Sequence, residues 1–103
     1  MLREPDTQKD SSVTVDIPWR VRQVQPLKGY RLRVVFADGL EGAVDLSRLV
    51  NSEAAGVFSA LRDEAMFRAV FVDFGAVAWP GGIDLAPDAM HAAIAELGEW
   101  VLQ

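Results

Sequence analysis

The chain has no cysteine, a single histidine and no long apolar run. The first absence removes disulfides, thiolate metal sites and thiol nucleophiles together. With His91 as the one imidazole, a zinc site would need mostly carboxylates, which is unusual, so no metal is expected. The serines Ser11, Ser12, Ser47, Ser52 and Ser59 fall in polar segments, at caps or in loops, and no G-x-S-x-G elbow is present. His91 itself falls within a helical stretch, so a Ser-His-acid arrangement is not expected. No phosphate-cradling G-x-G-x-x-G or G-K-[ST] accompanies Gly81-Gly82, and Asp38-Gly39 lacks the run of oxygen ligands of a calcium loop. The sequence leaves open a carboxylate pair between Asp73 and Asp84 but marks neither above an ordinary surface acid. No segment approaches the roughly 20 apolar residues that span a bilayer. The polar start MLREPDTQKDSSVTVD has no apolar signal region, so a cytoplasmic location is the expectation.

What is present is the material of one core. Half of the 103 residues are hydrophobic, including five Phe and three Trp, which suits one folded domain and is too little for two. Residues 1–17 read as a flexible tail, polar, aperiodic and interrupted by Pro5, and residues 18–103 as a single domain. The net charge of −5 is unevenly spread. Residues 18–37 carry Arg20, Arg22, Lys28, Arg31 and Arg33 and no acid, while from Asp38 onward eleven acids face only Arg48, Arg62 and Arg68. Overall acidity argues against a dedicated nucleic-acid binder. Arg20, Arg22, Arg31 and Arg33 nonetheless form a candidate basic stripe.

The stretch YRLRVVFADGLEGAVDLSRL at residues 30–49 reads as a hairpin running into a helix start. A two-residue Asp38-Gly39 loop would set the apolar face of one strand beside the acidic face of the other. A three-residue Ala37-Asp38-Gly39 loop pairs Phe36 with Leu40, Val34 with Gly42, Leu32 with Val44 and Tyr30 with Leu46, which gathers the apolar residues on one face. Gly39 then takes the left-handed position and Asp38 bonds the local backbone. In this register Arg31 faces Asp45 and Arg33 lies diagonal to Glu41, so the basic stripe is partly neutralised at about 0.2–1 kcal/mol per pair.

Before this hairpin, residues 19–25 read as a strand and Pro26-Leu27-Lys28-Gly29 as a turn. After it, Ser47 is expected to cap a short helical turn and residues 51–56 to form a loop. Val57, Phe58 and Leu61 suit a short helix or 3₁₀ turn, and Asp63 caps a helix over 64–69. VFVDFGAVAWP reads as a second hairpin with Phe74-Gly75 as its turn, pairing Val72 with Val77 and Val70 with Trp79. A last helix starts at Pro87 and carries Met90, Ile94, Leu97 and Val101 as its core face. The expected class is α+β: an antiparallel sheet of about five strands in two hairpin units, with two to three helices on one face.

The motifs W-R-V-x-x-V-x-P-L at 19–27, Y-R-L-R-V-x-F-A-D-G-x-x-G-x-V-D-L-S at 30–47, G-V-F at 56–58, L-R-D at 61–63 and A-W-P-x-G-x-D-L-x-P-D at 78–88 together resemble a bacterial domain-of-unknown-function family, number 2442. The resemblance covers roughly residues 18–95. It implies no catalytic residue and no cofactor, and it implies an antitoxin-like protein partnered with a small toxin-like protein. Some relatives append a helix-turn-helix domain; this chain reaches Gln103 just past its last helix, so inherited operator binding is not expected. The leading expectation is a non-enzymatic protein-interaction module whose acidic part meets a basic partner, with Asp73, Trp79, Asp84 and Asp88 as candidate contacts. One alternative is a nucleic-acid accessory protein using the arginine stripe, and another is a small ligand-binding domain. An open sheet edge also permits a homodimer.

Overall fold

A computed structural model describes residues 17–103. The expected tail, residues 1–17, lies outside them except for Ile17. Among the described residues seven strands and four helical segments form an α+β fold around one core. The strands are β1 (Val21–Leu27), β2 (Arg31–Phe36), β3 (Glu41–Asp45), β4 (Phe71–Asp73), β5 (Ala76–Trp79), β6 (Ile83–Asp84) and β7 (Glu99–Val101). They make a four-stranded sheet in the order β1-β2-β3-β7 and a three-stranded sheet in the order β4-β5-β6. Helices α1 (Ser47–Val50), α2 (Glu64–Phe67) and α3 (Pro87–Leu97), with a 3₁₀ helix over Gly56–Arg62, complete the fold.

The first hairpin adopts the register its polarity pattern demands. Leu32 pairs with Val44, Val34 with Gly42 and Arg31 with Asp45, and the Phe36 amide donates to the Leu40 carbonyl at 2.8 Å. The turn closes through Gly39 at φ +90, whose amide donates to the Phe36 carbonyl, and Asp38 Oδ1 accepts from the Leu40 amide. Leu32, Val34, Phe36, Val44 and Leu46 are consequently all buried. The second hairpin also follows expectation, with Val72 opposite Val77 across the Phe74-Gly75 turn.

Two local readings are corrected and one is borne out. The first strand occupies 21–27, two residues later than expected, so Pro26 is a strand residue; it is tolerated there because β1 is an edge strand and needs no outward amide. Ser47 does not cap α1. Its amide and hydroxyl instead both donate to Asp45 Oδ1, at 2.9 and 2.7 Å, and Leu46 precedes the helix without a side-chain cap. Asp63 does cap α2 as expected, through its bond from the Ala65 amide.

The largest difference lies at the end of the chain. The last helix stops at Leu97, because Gly98 takes a left-handed conformation and its amide closes on the Ile94 carbonyl. Leu97 is largely exposed, and Val101 belongs to β7, which runs parallel to β3 with Val44 opposite Trp100. The α3–β7 unit thus adds a parallel edge to a sheet expected to be antiparallel. Gly42 makes the crossover possible: a methyl group there would stand 2.8 Å from the Gly98 carbonyl oxygen and closer still to Ile94 Cγ2.

Candidate functional site

The β4–β6 sheet turns one face inward and one outward, as strand periodicity requires. Val77, Trp79 and Ile83 point into the core. In the observed register Phe71 lies opposite Ala78, which lies opposite Asp84, and Asp73 lies opposite Ala76. The outer face therefore carries Phe71, Asp73 and Asp84 around two alanines. With only methyl groups in the middle and the Gly81-Gly82 turn beside them, the face is concave. It forms an open hollow of about 200 Å³ lined by Phe71, Asp73, Ala78 and the run from Trp79 to Asp84. Phe71 is 43% exposed and Phe74, at the hairpin tip, is 92% exposed.

The candidate contacts divide on this geometry. Asp73 and Asp84 share the concavity and are exposed. They sit on the two outer strands and two positions out of register, which sets their Cα atoms roughly 12 Å apart by sheet spacing. Asp88 is exposed in the first turn of α3 and does not line the concavity. Trp79 is corrected as a contact residue: it is 1% exposed, and its indole N–H donates to the Phe67 carbonyl at 2.8 Å. Its side chain is committed to the core, so although Trp79 borders the concavity it does not present its ring as an aromatic anchor. The exposed aromatics of this region are Phe71 and Phe74. The signal for Phe74 was legible, since a phenylalanine occupies a two-residue turn whose chemistry favours Asn, Asp or Gly.

The arginine stripe is dispersed. Arg22 is the extra residue of a bulge in β1, between Val21 and Gln23, and its guanidinium donates to the Ala37 carbonyl. Arg20 packs across Gly75, where the two sheets meet through the bond from the Val21 amide to the Gly75 carbonyl. Arg33 forms an ion pair with Glu41, and Arg31 lies opposite Asp45. The Asp45 carboxyl is held below its ordinary range chiefly by the Ser47 hydroxyl, with the positive charges of Arg31 and Arg48 contributing less. The outer face of the larger sheet thus alternates charge and does not present one sign. Two further hollows lie on this sheet, one of about 270 Å³ lined by Gln23, Val24, Gln25, Arg33 and Val35 and one of about 300 Å³ lined by Leu27, Arg33, Glu41, Gly42 and Ala43; the arginine they share is ion-paired with Glu41.

A second polar contact escaped sequence reasoning. His91 Nε2 donates to Asp38 Oδ2 at 2.8 Å, and its ring stands edge-on to Phe36 at 4.8 Å. Among the described residues no three His, Asp or Glu side chains gather as a metal site, and no helix is long and apolar enough to cross a membrane.

A family model with the description "Protein of unknown function (DUF2442)" matches residues 21–96, from the first residue of β1 to the last turn of α3. No curated protein and no solved structure matches the chain.

Proposed function

The chain belongs to the DUF2442 family, and we propose that it is a non-enzymatic protein-interaction module of the bacterial cytoplasm, the antitoxin-like partner of a small basic protein. The observation that carries this reading is the outer face of the β4–β6 sheet. Its concavity has Phe71 at one side and the exposed carboxylates Asp73 and Asp84 at others. A lysine or arginine side chain would find there both a carboxylate and an aromatic ring, the two groups that attract a cation. The excess of eleven acids over three arginines after residue 37 adds a field that speeds encounter with a basic partner. Interleaving of the arginine stripe with Glu41 and Asp45 weakens the competing attraction for phosphate.

The test is co-expression with the product of the adjacent small reading frame. The two proteins are expected to co-purify at low salt and to separate as ionic strength rises, with Asp73→Asn plus Asp84→Asn weakening the complex. If no complex forms and no growth defect caused by the neighbour is relieved, the proposal fails.

A further inference from the structure

We infer that Phe74 is a preformed aromatic anchor, inserting into an apolar pocket of a partner protein whose rim carries lysine or arginine. The inference rests on the interaction-module reading above and names its central contact.

Phe74 and Gly75 form the β4–β5 turn with φ of +49 and +82, the pattern of a type I′ turn. For a bulky residue the left-handed region is strained. Tyr30, the other described non-glycine residue with positive φ, shows how a fold offsets such strain. Its hydroxyl donates to the Arg62 carbonyl at 2.6 Å, and its ring meets Phe67 edge-on at 5.4 Å. Phe74 receives no such compensation, since it is 92% exposed. An asparagine would make the same turn with less strain and no ring in water, so local folding does not account for phenylalanine at this position.

The tip is also held in place. The Gly75 carbonyl accepts from the Val21 amide at 2.8 Å, and Gly75 is buried under Arg20, whose Nε would stand 2.9 Å from a methyl group there. With the turn backbone held in this way, docking costs only the rotation of one two-torsion side chain. The charges beside it select the occupant. Asp73 is exposed next to Phe74, and Asp84 and Phe71 continue the same face, whereas Arg20 is half-buried against the turn. An apolar pocket with a cationic rim is the complement of that arrangement.

The experiment is selection of a phage-displayed library of random 12-residue disulfide-closed peptides, whose rings can close an apolar cup around a side chain, on the immobilised full chain, followed by affinity and melting measurements on wild type and Phe74→Asn. Enriched peptides are expected to combine an apolar residue with Lys or Arg, to bind more weakly as salt rises, and to lose at least about tenfold in affinity on Phe74→Asn. The same variant is expected to melt higher than wild type, because it relieves the turn. Opposite signs for binding and stability distinguish an anchor from a merely structural residue. Peptides lacking basic residues, or melting of the variant below wild type, would overturn the inference. Peptides that bind Phe74→Asn as tightly as wild type would sink the anchor and leave the interaction module standing. No enrichment at all would count against both. Self-association of the wild type that Phe74→Asn abolishes would reassign the anchor to a second copy of the chain and overturn the basic partner.

Discussion

Asp38 and His91, 53 positions apart, meet at 2.8 Å and tie the β2–β3 turn to helix α3. The carboxylate serves two elements at once. Oδ1 accepts from the Leu40 amide within the turn, and Oδ2 accepts from His91 Nε2. A carboxylate can only accept, so the imidazole must donate at Nε2. These bonds hold the Asp38 carboxyl below its ordinary value, the Leu40 amide contributing most and His91 next.

Stability should therefore fall in acid. Asp38 and Asp45 both titrate below the ordinary aspartate value of 3.8 in the folded chain. Each contributes stability that is present above that value and is lost as pH falls through the lower folded one. Thermal melts are expected to show these contributions constant from neutral pH down to about 5 and declining below about 4. Asp38→Asn keeps the bond from Leu40 but discards the charge facing His91, so its melting temperature should approach that of wild type as pH drops. A difference that stays constant down to pH 2 would show that the His91 pairing contributes nothing.

Trp79 belongs to the core, and its variants should register in stability. Trp79→Ala is expected to cost about 3–5 kcal/mol in denaturant unfolding, as loss of a fully buried large aromatic does. Trp79→Phe keeps most of the volume but leaves the Phe67 carbonyl without its 2.8 Å partner, at about 1–3 kcal/mol. A Trp79→Ala variant with unchanged stability would contradict the burial.

The parts of the fold that sequence reasoning reached are those encoded by neighbours in the chain. The Phe36–Leu40 register was legible because only a three-residue turn places Leu32, Val34, Val44 and Leu46 on one face. Pairing Val72 with Val77 followed from the same rule, and it already placed Trp79 on the inward side, although the A-W-P-x-G-x-D motif drew attention to it as a contact. Contacts between distant segments were not legible. Nothing local to His91 signals a partner 53 residues earlier. β7 is only three residues long and pairs with a strand more than 50 positions away. The Leu97–Val101 spacing of four imitated a continuing helix, and Gly98 was the one local sign against it. In the candidate site Asp73 and Asp84 are legible from the sequence as candidate contacts. The concavity between them depends on register across three strands, which residue types alone do not fix.

Gly98 should matter through its backbone conformation alone. A methyl group there meets nothing within 4 Å, yet φ is +81. Gly98→Ala is expected to lower unfolding free energy by about 1–2 kcal/mol, the cost of holding an L-residue in the left-handed region. Gly98→Asn should recover part of this loss, because asparagine tolerates that region better. Equal stability of the alanine and glycine forms would mean that the helix does not depend on this cap.

Gly42 should matter through space, which makes it the sharper probe of how α3 seats on the larger sheet. It is an ordinary strand residue opposite Val34, so glycine is not needed for its conformation. A methyl group would nevertheless collide with Ile94 and stand 2.8 Å from the Gly98 carbonyl oxygen. The Ile94 side chain is buried at 2% exposure and Gly98 O is backbone, so neither can yield cheaply. Gly42→Ala is therefore expected to destabilise by about 1–3 kcal/mol, the usual range for overpacking. Adding Ile94→Ala to Gly42→Ala should recover part of that loss, because alanine lacks the two γ carbons that collide, even though Ile94→Ala alone costs about 2–5 kcal/mol. Chemical denaturation of the two single variants and the double variant measures the coupling, since contacting residues depart from additivity. Strict additivity would show that helix α3 does not press on β3 at this point.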